Sequence, residues 1–113
     1  MHELRIAQEI ISITEKEMRN QHLNAVNTIV VRLGALSGVD PEALAFGFEA
    51  GTIDTLLAGA KLTIEQVAVE GRCRSCEKCF EINDYYFLCP YCDSVNVEIT
   101  RGEELYIDHL IGE

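Results

Sequence analysis

The stretch from Cys73 to Cys92 constrains this chain more than any other. It reads Cys73-Arg74-Ser75-Cys76, then twelve residues, then Cys89-Pro90-Tyr91-Cys92. A Cys-x-x-Cys pair can curl both sulfurs onto one ion as a tight knuckle, and two pairs joined by a connector long enough for a small hairpin supply four ligands. Zinc is the default ion for such a set, and iron suits four thiolates as well. Two disulfides are the competing reading, and no other feature suggests the oxidising compartment they would need. A fifth cysteine, Cys79, makes an overlapping pair, Cys76-Glu77-Lys78-Cys79. Four sulfurs saturate a structural zinc site. Cys73, Cys76, Cys89 and Cys92 are taken as the ligands because they keep both knuckles symmetric, and an exchange of Cys79 for Cys73 stays open.

At 113 residues the chain is one domain, or a small domain carrying a smaller module. Leu4, Ala7, Ile11, Thr14 and Met18 step by threes and fours, with Ile6, Ile10 and Ile13 beside them, which predicts a helix from about Glu3 to Asn20. Val26 to Leu33 is rich in β-branched residues and reads as a strand. Asp40-Pro41-Glu42 opens a second helix: Asp40 caps, Pro41 suits the first position and Glu42 favours the positive end of the dipole. That helix is expected to reach about Leu57, with Ala43, Phe46, Ala50, Ile53 and Leu57 in its seam and Leu44 and Phe48 beside it. Gly47 and Gly51 one turn apart point to a close approach by another element.

Further strands are expected at Lys61 to Val69, Tyr85 to Leu88, Val95 to Thr100 and Glu103 to Ile111. In the last of these Leu105, Ile107 and Ile111 share one side, and His109 falls on the inward alternation. Tyr85, Tyr86 and Phe87 read as the small core of the cysteine module. The order gives an α+β fold: two helices packed on a three-stranded sheet built from the strands near Val26, Lys61 and Glu103. A small β zinc-ribbon-like module is inserted. Residues 1-70 and 102-113 form the first domain on this reading, and 71-101 the module.

A net charge of −10 repels phosphate backbones and anionic headgroups, which argues against nucleic acid as a partner. No apolar run approaches the roughly 20 residues of a membrane span. Nothing resembling a secretory signal follows Met1, so a cytoplasmic protein is expected.

Met1, His2 and Glu3 carry a second possible site. The Met1 amine, the backbone nitrogen of His2 and its imidazole can close adjacent chelate rings around one ion, and Glu3 can complete a square. Square-planar nitrogen donation suits Ni(II) or Cu(II). The same residues also read as a start methionine followed by an exposed histidine. His22 sits in a polar connection.

Taken together, Met1-His2-Glu3, the apolar helix behind it, Arg32-Leu33-Gly34, Asp40-Pro41-Glu42, the two cysteine pairs and Gly102-Glu103-Glu104-Leu105 resemble the HypA family of nickel metallochaperones over essentially the whole chain. The resemblance implies a nickel-binding domain holding Ni(II) through Met1, His2 and Glu3, and a separate module with structural Zn(II) on Cys73, Cys76, Cys89 and Cys92. It implies a protein that is not an enzyme and that delivers nickel during maturation of [NiFe]-hydrogenase, and in some organisms urease. The implied partners are a HypB-type GTPase and a hydrogenase large subunit precursor, with the chain itself a monomer or weak homodimer. Cys79 departs from the family pattern. A zinc-ribbon interaction adaptor and a rubredoxin-like iron electron carrier are the alternatives.

Overall fold

The computed structural model describes residues 2–83 and 86–113, with His2 by its backbone alone. Its elements run α1 (His2–Asn20), β1 (Val26–Gly34), α2 (Pro41–Thr52), β2 (Lys61–Val67), β3 (Glu70–Cys73), β4 (Cys79–Glu81), β5 (Val97–Arg101) and β6 (Leu105–Gly112). Two three-stranded sheets result, ordered β2-β1-β6 and β4-β3-β5. The chain divides into two compact units. One comprises Met1–Arg32, Val39–Glu65 and Tyr106–Glu113; the other comprises Leu33–Gly38 and Gln66–Leu105.

In the first unit, α1 forms because its apolar residues recur at helical spacing, and Ala7, Ile10, Ile11, Thr14 and Met18 are buried. Ala7, Ile10, Ile11 and Met18 meet Val26, Ile29 and Val31 of β1 and Leu44, Phe48 and Leu57 in a single core. Ile107 and Leu110 of β6, with Leu62 and Ile64 of β2, pack against its margin. This is the expected pair of helices on a sheet of three strands. Arg32 crosses the sheet from the central strand, its Nε 3.2 Å from Asp108 on β6 and a guanidinium nitrogen 3.5 Å from Glu65 on β2. It ties both edge strands to the middle one.

Asp40 caps α2 as expected, its Oδ1 accepting from the Glu42 amide at 3.0 Å, with Pro41 in the first turn. The buried seam of α2, however, is Leu44, Gly47, Phe48 and Thr52. Phe46 and Ile53, assigned to the seam on sequence, lie 74% and 66% exposed. The glycines decide this. A Cβ built on Gly47 would stand 3.3 Å from the Ala7 Cβ, and one on Gly51 2.8 Å from Ile11 Cδ1, so the glycine edge is the one pressed on α1. Phe48 shares that buried side, while Phe46 and Ile53 are turned outward.

The helix also stops at Thr52, short of the expected Leu57. Ile53 is extended, Asp54 takes φ +61°, and the Thr55 hydroxyl donates to the Thr52 carbonyl at 2.7 Å. Chain reversal by tight turns then replaces the helix, and Leu57 returns to the core with Ala60 packed against it.

β2 ends at Val67 and a separate strand begins at Glu70, where one strand to Val69 was expected. In the second unit, β3 is central. It pairs antiparallel with β4 (Gly71 opposite Phe80) and with β5 (Arg72 opposite Glu98). The strand expected at Tyr85 to Leu88 is absent among its described residues 86–88, Tyr85 lying outside the described set; the second strand of the hairpin is β4, immediately after the first knuckle. Tyr86 and Phe87 are exposed, not a core. Among the described residues of the second unit the buried apolar side chains are Leu33, Val67, Val69, Ile82 and the cysteines Cys73 and Cys89. β6 departs from its expected alternation: Ile107 and Leu110 face the core while Leu105 and Ile111 are exposed. His109 is exposed too, its Nδ1 2.7 Å from the neighbouring Asp108 carboxylate.

Candidate metal centre

Both knuckles are built from the same backbone pattern. In the first, the Cys73 amide donates to the Lys78 carbonyl at 2.9 Å and the Glu77 amide to the Cys73 carbonyl at 2.8 Å. In the second, the Cys89 amide donates to the Ser94 carbonyl at 3.0 Å and the Asp93 amide to the Cys89 carbonyl at 3.0 Å. Glu77 and Asp93 follow the second cysteine of each pair and take the left-handed conformation, at φ +65° and +60°. That reversal turns each loop back so that two sulfurs converge. Amides inside the loops aim at the first sulfur of each pair: Cys76 N to Cys73 Sγ and Tyr91 N to Cys89 Sγ, both 3.4 Å. Across the knuckles, Ser75 and Ser94 hydroxyls meet at 3.0 Å and Lys78 stands over the Tyr91 ring.

The four sulfurs of Cys73, Cys76, Cys89 and Cys92 all lie within 4.8 Å of one another. Cys73 to Cys92 is 3.5 Å and Cys76 to Cys89 is 3.6 Å. These are not disulfide separations, which are about 2.0 Å. They approach the edge of a tetrahedron with metal–sulfur bonds of about 2.3 Å, which is about 3.8 Å. The donor set and spacing therefore fit a tetrahedral thiophilic ion. Cys79 stands apart from the cluster, exposed on β4 opposite Arg72.

The thiols are poised unequally. The Cys76 amide is the main influence holding Cys73 down, to about 6, and the Ser75 amide and Cys92 add to it. At Cys92 the Ser94 amide favours the thiolate, but the Cys73 sulfur, burial and the other two sulfurs outweigh it and push the group up to about 12. Cys76 is raised on balance: the Lys78 amide lowers it, and burial with Cys89 and Cys73 overcomes that. Each sulfur thus acts on its neighbours, as their closeness requires.

Of the other expected site, the Met1 and His2 side chains lie outside the described residues. Glu3 is placed. Its Oε2 accepts a hydrogen bond from the backbone amide of Asp40 at 3.1 Å, and this bond is the first cause of a carboxyl pKa below the usual range. Sequence reading gave no sign of the contact, because the residues are 37 positions apart.

An α+β unit bearing an acidic amino-terminal helix end, joined to a four-thiolate knuckle unit, defines a small two-unit metal-binding protein. A family model described as hydrogenase/urease nickel incorporation, metallochaperone, matches residues 1–111, and the chain belongs to this HypA family. It is 43% identical over 110 residues to a hydrogenase maturation factor HypA of Geobacter metallireducens, covering 97% of both chains. A HypA of Geotalea uraniireducens is 42% identical with the same coverage. Among solved structures, a HypA solution structure superposes with TM-score 0.75 at 28% identity, covering 100% of this chain and 97% of that one. The Ni metallochaperone HypA from Helicobacter pylori superposes with TM-score 0.67 at 27% identity, over 97% and 96%.

Proposed function

We propose that this protein carries Ni(II) on its first three residues and delivers it during maturation of [NiFe]-hydrogenase, and also of urease where a cell makes one. The observation that carries the reading is the family match, which begins at residue 1 and spans both units. The Met1 amine, the His2 backbone nitrogen and the His2 imidazole would supply the planar donors, with Glu3 completing or flanking them. Hydrogen bonding of Glu3 to the α2 cap supports this, since a carboxylate kept ionised and in place is ready beside the chain start. Few ligands on an open chain end let a second protein take the ion by ligand exchange.

Cys73, Cys76, Cys89 and Cys92 would hold Zn(II), whose part is to crosslink the two knuckles and supply folding free energy. The zinc neither moves nor reacts. On this reading the protein is a carrier with no catalytic step, working in the cytoplasm with a HypB-type GTPase and a hydrogenase large subunit precursor. No helix among the described residues is long and apolar enough to cross a membrane.

Replacing His2 by alanine tests the assignment. Nickel binding by the untagged protein and hydrogenase activity in cells should both be lost, while zinc content and the thermal transition stay as in the native protein. Retained nickel binding in His2→Ala would refute it.

A further inference from the structure

Phe46, Ile53 and Leu56 are large apolar side chains left 74%, 66% and 73% exposed on one unit. Phe46 and Ala50 lie one turn apart on the outer ridge of α2, Ile53 follows at its C-cap, and all three are exposed. Leu4 of α1, 46% exposed, lies against Gly47 beside that ridge. The charges carried by this segment are of one sign, and Lys61 borders it, lining the same cavity as Glu49, Ile53 and Asp54. Glu42 and Glu49 sit one turn either side of Phe46, Asp54 follows Ile53, and the chain from Val39 to Ala60 contains no lysine, arginine or histidine.

We infer that the outer ridge of α2 is a docking surface for a protein segment whose apolar residues are flanked by lysine or arginine. Charge decides the occupant. A second copy docking by the same face would set Glu42, Glu49 and Asp54 against their own counterparts, in a chain already at −10. An anionic bilayer is repelled likewise. A basic amphipathic helix satisfies both parts, burying Phe46 and Ile53 while its cations meet the carboxylates.

The position of the ridge adds a consequence that rests on the nickel reading above. Phe46 is six residues from Asp40, about 9 Å along the axis, and Asp40 holds Glu3. A partner seated there reaches the end of the unit that holds Glu3.

The test uses the full zinc-loaded chain and two synthetic helical probes, a leucine–lysine amphipathic peptide and its leucine–glutamate counterpart. The lysine peptide should shift the amide resonances of Phe46, Glu49, Ile53 and Leu56, and the glutamate peptide should not. Phe46→Ser with Ile53→Ser keeps the net charge and should weaken binding at least tenfold with zinc and nickel content unchanged. Glu42→Gln with Glu49→Gln should weaken it and flatten its salt dependence. Shifts scattered over other acidic surfaces, equal binding by the serine variant, a dimer in sedimentation that the serine variant abolishes, or capture by anionic vesicles would each overturn the inference. The mapping needs no variant to fold, and nickel titration of the same samples separates a failure here from a failure of the metal assignment.

Discussion

Glu3 is hydrogen-bonded to the backbone amide of Asp40, so the first turn of α1 is fastened to the N-cap of α2. The carboxylate occupies the end of α2 where free amides and the helix dipole favour negative charge. It adds to Asp40, which already caps from its own side chain.

Glu3→Gln should destabilise the first unit at neutral pH. The Glu3 pKa is depressed in the fold, so its contribution is complete above the unfolded value of about 4.3 and is lost as pH falls through the lower folded value. Hydrogen exchange of α1 and α2 amides in the native and Glu3→Gln proteins should therefore differ by a constant amount from pH 8 to 5. The two should converge only in stronger acid. A gap that instead opens below pH 5 would contradict the bond.

The contact of α1 with α2 depends on the missing side chains of Gly47 and Gly51. At Gly47 the opposing atom is the fixed Cβ of Ala7, whereas at Gly51 it is the movable end of Ile11. Gly47→Val should cost about 1–3 kcal/mol through overpacking. Gly51→Ala should cost much less, because Ile11 can turn aside and alanine regains up to about 1 kcal/mol of helix propensity. Urea midpoints of the two variants check the order.

Thr14 is fully buried in α1 with no partner for its hydroxyl among the described residues. An unsatisfied buried group of this kind costs about 1–3 kcal/mol, and a valine has the same shape. Thr14→Val should raise stability by about 1 kcal/mol in urea unfolding. Unchanged or lower stability would mean that the hydroxyl is satisfied.

Serine at Cys73, Cys76, Cys89 or Cys92 should release zinc and collapse the amide dispersion of the second unit, since few other side chains are buried there. The effect on that unit is of the order of 10 kcal/mol. Cys79→Ser should leave one zinc per chain. Zinc by mass spectrometry of the intact protein reads both.

Elements with a local cause were legible in the sequence. The knuckles follow from spacing, α1 from its stripe, and the α2 start from Asp40-Pro41-Glu42; each is dictated by residues within one or two turns. What was misread depends on partners distant in the chain. The face of α2 was placed one position off because hydrophobicity favoured Phe46 and Ile53, while the true seam is chosen by how closely Gly47 lets Ala7 approach. The same applies to Glu3, whose partner is far along the chain. Aromatic residues near Phe87 suggested a strand by propensity, and the module uses the smaller Ile82 and Val69 as its core.

The terminal chelate is the central claim, and lengthening the chain by one residue before Met1 tests it most directly. Every side chain is kept, but the primary amine moves away from the His2 nitrogen and imidazole. In nickel titrations of the zinc-loaded protein, followed by the absorption of square-planar Ni(II), the native chain should bind one equivalent, with binding falling as pH drops through the amine and imidazole range of about 8 to 6.5. The extended chain should bind at least tenfold more weakly with its zinc intact. Equal affinity in the two proteins would contradict the claim and move the nickel to ligands elsewhere.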